Sequence, residues 1–215
     1  MKFDIDAAIF DMDGTLLDTM PYWRFLSLEY ILKYGYPLRM DDLAKMYSTP
    51  TKKFLSGYEK EVGVEINMAG LGDELEAMMC RHYVEDCRAK PFAKAFLDQL
   101  RQEGVRMCVA TSTRHENAQK GLDRHDMTGY FEFIIDHDET EYTKNDPEFF
   151  ENLAKRLGLK PGRCMMFEDA LYAMKSAKAA GMQVCAIEDG SQEADRDAIK
   201  EIADIYIRDF SELIN

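Results

Sequence analysis

The sequence lacks three features that mark common functional classes. It has no apolar run near the roughly 20 residues of a membrane span, and its first apolar stretch, Ala7 to Phe10, is too short for a signal peptide. Basic residues are few, with 27 against 40 acidic ones and a net charge of −13 over 215 residues. That sign disfavours a nucleic-acid partner, because binding a polyanion relies on lysine and arginine. It is compatible with a small anionic substrate, because a local field can oppose the overall charge.

Paired cysteines are also missing. The five cysteines have no Cys-x-x-Cys spacing, and their odd number does not suit a disulfide framework. We therefore expect free, mostly buried thiols in a reducing cytosol, and a cytoplasmic protein without a membrane partner.

Short apolar runs separated by helical patterns describe most of the chain. Runs that are apolar on both faces are typical of a parallel sheet covered on both sides. The predicted strands are residues 7–10, 105–110, 131–135, 164–167, 184–187 and 205–207. The predicted helices between them are residues 91–103, with Phe92, Phe96 and Leu100 as apolar face, 147–157 and 169–180.

One long stretch breaks this alternation. Between about residue 17 and residue 88 there are only helical patterns, mainly 21–33 and 73–87. The apolar face of the first is predicted to hold Tyr22, Phe25, Leu28 and Leu32, and that of the second Leu75, Met78, Met79 and Tyr83. We predict an α/β fold with a Rossmann-like, three-layer parallel sheet core (residues 1–16 and 89–215) and an inserted helical module (17–88).

Two acids directly follow the first predicted strand. Asp11 and Asp13 stand two residues apart in an extended segment, so both carboxylates can face one spot at the carboxyl end of the strand, where open sheets bind ligands. Gly14 allows the chain to leave the strand sharply. A bare Asp-x-Asp is more often a solvated turn or a cap. The strand before this pair and the Gly-Thr after it favour a nucleophile and a general acid/base.

A second acidic pair, Glu168 and Asp169, follows the predicted strand 164–167. Acids at a helix start are commonly caps, so this pair alone indicates little. Carboxylates from both pairs at one sheet edge would repel each other unless a cation lay among them, and hard oxygen ligands select magnesium or calcium. Asp11, Asp13, Glu168 and Asp169 are therefore candidate metal ligands.

Hydroxyl groups and a lysine complete the candidates. Thr111 and Ser112 follow the predicted strand 105–110, where hydroxyls and amides at a helix start suit a phosphate oxygen, although a plain cap uses the same groups. Lys144 lies in a loop before a helix, and by position alone a solvated surface lysine is the favoured interpretation.

The order of these features resembles the haloacid dehalogenase superfamily. The segment Asp11-Met12-Asp13-Gly14-Thr15-Leu16-Leu17-Asp18-Thr19 is its most specific part. A helical insertion, a strand ending in Thr111, the loop lysine Lys144 and a strand ending in Glu168-Asp169 follow in the same order. The resemblance spans essentially the whole chain. The insertion resembles the small helical cap of the subgroup that includes β-phosphoglucomutase and phosphoglycolate phosphatase.

The resemblance implies roles for the reacting groups. Asp11 would attack the substrate phosphorus and form an aspartyl-phosphate, while Asp13 would protonate the leaving oxygen and then take a proton from water. The transferring phosphoryl oxygens would be bound by Thr111, with Ser112 beside it, and by Lys144.

The resemblance also implies a magnesium cofactor. Its ligands would be the Asp11 carboxylate, the Asp13 backbone carbonyl and Asp169, with Glu168 bound directly or through water. Substrate choice would rest with the cap, and the candidate contacts there are Tyr22, Trp23, Arg24, Arg39, Tyr47, Lys52 and Lys53.

Asp13 narrows the expected reaction. Relatives that displace halide lack an acid at this position, so its presence implies an oxygen leaving group. We expect a magnesium-dependent phosphatase that hydrolyses a small phosphorylated metabolite. A sugar phosphomutase similar to β-phosphoglucomutase stays open, as does a non-catalytic regulatory or binding member of the fold, a different functional class.

Overall fold

The computed structural model describes residues 4–136 and 139–214, apart from the side chain of Tyr47. The chain divides into two compact units, Met1–Asp18 with Cys87–Asn215, and Thr19–Asp86. We call the first the sheet unit and the second the helical unit. Within the described ranges, no helix is both long enough and apolar enough to cross a membrane.

The sheet unit is built on a parallel β-sheet. In chain order the strands are β1 Ala7–Phe10, β2 Leu17–Asp18, β3 Arg88–Ala89, β4 Arg106–Ala110, β5 Ile134–Ile135, β6 Cys164–Glu168, β7 Gln183–Ile187 and β8 Ile205–Ile207. Six of them form one sheet in the order β5-β4-β1-β6-β7-β8, and every neighbouring pair is parallel. The predicted α/β, Rossmann-like architecture is confirmed.

Helices complete both units. Those of the helical unit are α1 Met20–Lys33, α2 Met40–Ser48, α3 Thr51–Val62 and α4 Leu71–Glu85. Those of the sheet unit are α5 Ala93–Gln102, α6 His115–Arg124, α7 Pro147–Arg156, α8 Leu171–Ala179 and α9 Arg196–Ile202. Fully buried residues of α7 and α8, such as Phe150 and Met174, share one core cluster with Ile9 of β1.

Strand β1 occupies the middle of the sheet and fixes where the neighbouring strands end. Phe10 pairs in register with Val109 of β4 and with Phe167 of β6. The rings of Phe10 and Phe167 stack with centroids 4.5 Å apart, and all four residues of β1 are buried. Residues that directly follow β1, β4 and β6 therefore lie at one edge of the sheet.

The predicted helix over residues 91–103 begins later than expected. Pro91 and Phe92 form a turn before α5, in which the Ala93 amide donates to the Lys90 carbonyl. Phe92 has a φ of 62° and is 57% exposed, so its prediction as a core residue was wrong. In contrast, α7 begins at Pro147 as predicted, with Phe149 and Phe150 buried.

The two main helices of the helical unit differ in how well their buried faces were predicted. Helix α4 buries all four predicted residues. Helix α1 instead buries Leu26, Tyr30 and Ile31, while Phe25 and Leu32 are exposed, so the predicted face was wrong. Apolar residues occur all round α1, and spacing alone therefore could not select the face that packs against α2, α3 and α4.

The shortest strands were mispredicted. Strands β2 and β3 form a two-stranded antiparallel ribbon, although no strand was expected between residues 17 and 88. Two-residue strands are too short to show a period. The predicted strand 131–135 is reduced to β5, although Glu132 and Phe133 before it still exchange backbone hydrogen bonds with Met107 and Val109 of β4. All five cysteines are free thiols, and four of them are buried.

Candidate active site

Asp11 lies at the carboxyl end of β1. Its backbone amide donates to the Phe167 carbonyl at 2.9 Å, which extends the strand pairing by one residue, and its side chain is buried. The chain then turns sharply, with Gly14 at a φ of 87° and the Leu16 and Leu17 amides both donating to the Met12 carbonyl. A positive φ of this size suits glycine and strains most other residues. Asp11 thus lies buried at the carboxyl edge of the sheet, just before the chain turns away.

Lys144 is buried, although its sequence position suggested a surface charge. Its side chain is 4% exposed, and Nζ lies 2.5 Å from Asp11 Oδ1 and 2.7 Å from Glu168 Oε2. The loop that carries it is fixed by Asp146, whose carboxylate accepts the Thr143 amide at 2.9 Å just before α7. A buried ammonium needs such paired anions, because an isolated charge in the interior is costly.

Three of the predicted metal ligands converge beside this lysine. Asp11, Glu168 and Asp169 are all buried, and one carboxylate oxygen of each lies within 4.8 Å of the others. We call these three residues the acidic cluster. Glu168 is oriented by the backbone, since its Oε1 accepts the amides of Asp169 at 3.2 Å and Ala170 at 3.1 Å.

Burial and mutual repulsion oppose negative charge on the carboxyl groups of the acidic cluster. Burial, followed by the neighbouring Glu168 carboxylate, raises the pKa of Asp11 to about 8. Burial and then Glu168 and Asp11 also raise the pKa of Asp169 well above its ordinary value. Burial alone would lower the pKa of Lys144, but the carboxylates of Asp11 and Glu168 more than offset it, so the pKa is raised.

The carboxylate oxygens of the acidic cluster fit a hard divalent cation. Asp11 Oδ2 and Asp169 Oδ2 are buried and accept no hydrogen bond from the described residues. Glu168 Oε2 contacts Lys144 without hydrogen-bond geometry. Buried carboxylate oxygens without donors are rare, and a bound cation is one way to satisfy them. Carboxylate oxygens clustered in this way are typical ligands of Mg²⁺.

Asp13 does not join the acidic cluster with its side chain. Its carboxylate lies at the turn after β1 and accepts a hydrogen bond from the Thr113 hydroxyl, with Oγ1 and Oδ2 2.7 Å apart. Asp13 is also less buried than Asp11. The expectation that Asp13 contributes only its backbone carbonyl to a metal stays a prediction.

The predicted phosphate-binding residues lie at the same sheet edge. Thr111 is buried just after β4, and its amide donates to the Ile135 carbonyl at 3.0 Å. Its hydroxyl oxygen accepts the Thr113 amide at 3.0 Å. Ser112 is exposed and interacts with the hydroxyl of Tyr172. Since β1, β4 and β6 are neighbours, the sheet places Thr111, Asp11 and Glu168 side by side.

Comparison with known proteins agrees with this geometry. A family model described as haloacid dehalogenase-like hydrolase matches residues 8–187, which include every candidate site residue. The chain belongs to the haloacid dehalogenase-like hydrolase family. The predicted resemblance is confirmed, and as a family member the chain is a hydrolase.

Individual relatives of this hydrolase cover most of its length. It is 26% identical over 179 residues to a phosphorylated carbohydrates phosphatase of Thermotoga maritima, covering 83% of each chain. It is 29% identical over 182 residues to a fructose-1-phosphate phosphatase of Escherichia coli, covering 82% of this chain and 93% of that protein. A solved structure from Thermotoga maritima, provisionally named a β-phosphoglucomutase, shares the fold with a TM-score of 0.79 at 24% identity, over 94% of each chain.

The hydrolase also contains site residues that sequence reasoning missed. Thr113, which binds Asp13, is the third hydroxyl residue in Thr-Ser-Thr, and nothing in that run distinguishes it. Tyr172 lies close enough to Lys144, Glu168 and Asp11 for their charges to affect its pKa, which is raised mainly by burial. Only its place three residues after Asp169, near the start of α8, could have suggested it.

A second buried ion pair of the hydrolase was also missed. Lys90 Nζ lies 2.6 Å from Asp189 Oδ2, and both side chains are largely buried. The Asp189 carboxylate is among the charges that raise the pKa of Asp169. The two residues are 99 positions apart, so no local pattern relates them.

Two of the candidate substrate contacts, Arg39 and Trp23, have hydrogen-bond partners within the helical unit. Arg39 is held by Asp42 and Glu61, and Trp23 Nε1 donates to the Tyr83 hydroxyl at 3.1 Å. Lys52 and Lys53 are exposed. The side chain of Tyr47 lies outside the described residues.

Proposed function

We propose that this protein is a magnesium-dependent phosphatase that hydrolyses a small phosphorylated metabolite through an aspartyl-phosphate on Asp11. The observation that carries the proposal is the buried ion pair of Asp11 with Lys144, next to Glu168 and Asp169, at the carboxyl end of the central strand. A carboxylate placed there, beside an ammonium that can bind a phosphoryl oxygen, suits attack on phosphorus.

The first half of the reaction forms the covalent intermediate. An Asp11 oxygen attacks the phosphorus, and the bond between phosphorus and the alcohol oxygen breaks. The leaving oxygen takes a proton from Asp13, so the products of this half are the free alcohol and the aspartyl-phosphate. Lys144 and the Thr111 hydroxyl would bind the phosphoryl oxygens, where negative charge develops.

The second half regenerates the enzyme. Water attacks the phosphorus of the aspartyl-phosphate and gives a proton to Asp13, while the bond between phosphorus and Asp11 breaks. Inorganic phosphate leaves, Asp11 returns as a carboxylate, and Asp13 is protonated for the next turnover. One side chain thus serves as acid and then as base.

A magnesium ion would be held by Asp11 and Asp169, with Glu168 nearby and the Asp13 backbone carbonyl as a further ligand. When bound, it supplies positive charge that offsets repulsion among the carboxylates and the phosphate. The oxygens without hydrogen-bond donors support this assignment.

The relatives support a sugar or sugar-alcohol phosphate as the substrate class. Their names include a phosphorylated carbohydrates phosphatase, a fructose-1-phosphate phosphatase and a hexitol phosphatase. The charge of −13 supports a small-molecule substrate and no nucleic-acid partner. Five free thiols support a cytoplasmic location, where thiols stay reduced.

Phosphate release from a panel of sugar and hexitol phosphates, including fructose 1-phosphate, tests the proposal. We expect turnover that requires magnesium and stops with EDTA. Asp11→Asn should lower kcat by about 10⁴-fold or more, because it removes the nucleophile. Asp197→Asn, which changes an exposed carboxylate on α9, should leave kcat unchanged. Full magnesium-dependent activity in Asp11→Asn would exclude the covalent scheme.

A further inference from the structure

The hydrogen bond between Thr113 and Asp13 joins two turns that are far apart in sequence. Asp13 lies on the turn after β1 and Thr113 on the turn after β4, 100 residues later. The two strands are direct neighbours, with Phe10 opposite Val109. A distance of 2.7 Å between hydroxyl and carboxylate oxygens is that of a well-formed hydrogen bond.

Thr113 is a rigid donor. Its side chain is only 4% exposed, and its branched Cβ restricts χ1. Its backbone amide is fixed by donation to the Thr111 hydroxyl oxygen at 3.0 Å. Asp13, in contrast, is only partly buried and stands next to Gly14, where the backbone turns. The threonine therefore supplies a buried, fixed donor to a carboxylate that is itself partly exposed.

We propose that Thr113 is a positioning residue, which holds one oxygen of Asp13 so that the other oxygen carries the transferable proton. This role rests on the proposed phosphatase function. An ionised carboxylate can only accept, so the hydroxyl donates its hydrogen to Oδ2. With the Thr113 hydroxyl still donating to Oδ2, the proton of a protonated Asp13 resides on Oδ1.

The effect of the Thr113 hydroxyl on kcat/KM should depend on the leaving group of the substrate. Departure of an alkyl alcohol needs a proton, because an alkoxide is a poor leaving group. Departure of 4-nitrophenolate does not, because that anion is stable. The ratio kcat/KM covers the steps up to departure of the alcohol, so it isolates the acid role of Asp13 from its later base role.

The test compares kcat/KM of wild type, Thr113→Val and Thr113→Ser on a sugar phosphate and on 4-nitrophenyl phosphate. Valine keeps the branched shape and removes the donor, whereas serine restores the donor. Thr113→Val should lose about 10- to 100-fold on the sugar phosphate and less than about threefold on the aryl ester. Thr113→Ser should stay within about threefold of wild type on both esters.

Thr128→Val is the matched control. The Thr128 hydroxyl donates to Asp123 Oδ1 at 2.6 Å, which is the same kind of bond, but it follows α6 and lies before β5, away from the carboxyl ends of the strands. It should change neither rate. Thr113→Ala provides a second variant without the donor, with the same expected ratio, in case valine prevents folding.

The outcomes separate the two proposals. An equal loss on both esters, or no loss on either, would overturn the positioning role and leave the phosphatase assignment standing. Failure of Thr113→Ser to restore activity on the sugar phosphate would also overturn it. Absence of turnover by the wild type on every phosphate ester would instead overturn the proposed function, and the role of Thr113 with it.

Discussion

The sheet unit and the helical unit differ in where they keep their charges. The sheet unit buries two lysines with their acidic partners, Lys144 with Asp11 and Lys90 with Asp189. Ion pairs of the helical unit are mostly exposed, as in Lys33 with Glu74. Buried charge is costly unless it is compensated, so a protein retains it mainly where chemistry requires it. The distribution of charge therefore supports the proposal that the chemistry takes place in the sheet unit.

The two units also differ in how many large apolar side chains they expose. Among the described residues, most of the exposed large apolar side chains belong to the helical unit. They are Phe25, Leu32, Tyr34, Leu38, Met40, Leu43, Met68 and Val84, whereas the sheet unit contributes Phe92 and Tyr172. An exposed side chain adds little to stability. We therefore expect stability to depend on individual side chains more in the sheet unit than in the helical unit.

The largest loss of stability is expected when Lys144 is replaced. Lys144→Met removes the ammonium and leaves buried carboxylates without their partner, so we expect the free energy of unfolding in EDTA to fall by about 3–5 kcal/mol. Urea unfolding followed by circular dichroism measures this loss.

Lys33→Met is the matched control for that measurement. It breaks an ion pair in which the lysine side chain is 49% exposed, and it should cost less than about 1 kcal/mol. Equal losses in the two variants would contradict the distinction between buried and exposed pairs.

Local patterns were sufficient to predict the sheet edge. The apolar runs that became β1, β4 and β6 are bounded by polar residues, so they located Asp11, Thr111 and Glu168 at the carboxyl ends of strands. Strand pairing then brings these residues together, which the general behaviour of parallel sheets predicts.

Contacts between distant segments could not be predicted in the same way. Lys144 has no local feature that marks it as buried, and only the resemblance to a family assigned it a role. The bond from Thr113 to Asp13 spans 100 residues, and the Lys90–Asp189 pair spans 99. A pattern of period 2 or 3.6 carries no information about such pairs, because they depend on which turns the sheet makes neighbours.

An intermediate effect is expected at Asp42, an exception to the exposed charges of the helical unit. Its buried carboxylate accepts the Arg39 amide at 3.0 Å and Arg39 Nη2 at 2.6 Å at the start of α2. The side-chain bond with Arg39 lowers the pKa of Asp42 below 3.8. The stabilisation is therefore present above pH 3.8 and is lost as the pH falls through the pKa of the folded state.

Asp42→Ala tests this pH dependence. At neutral pH it should cost about 1 kcal/mol, as the loss of a helix cap typically does. The difference from wild type should shrink as the pH falls below 3.8. Fluorescence of Trp23, the only tryptophan of the chain, follows unfolding of the helical unit in urea at each pH. A difference that grew at low pH would contradict the assigned direction of the pKa.

The smallest expected effect is at Leu32 of α1, which sequence spacing assigned to the buried face. The residue is 62% exposed, so Leu32→Ala should change the free energy of unfolding by no more than about 0.5 kcal/mol. Leu26→Ala in the same helix removes a fully buried side chain and should cost about 2–5 kcal/mol, which makes it the matched control. Trp23 fluorescence in urea measures both variants. An exposed leucine has few contacts to lose. A loss at Leu32 as large as the loss at Leu26 would therefore indicate that Leu32 is buried, as the spacing predicted.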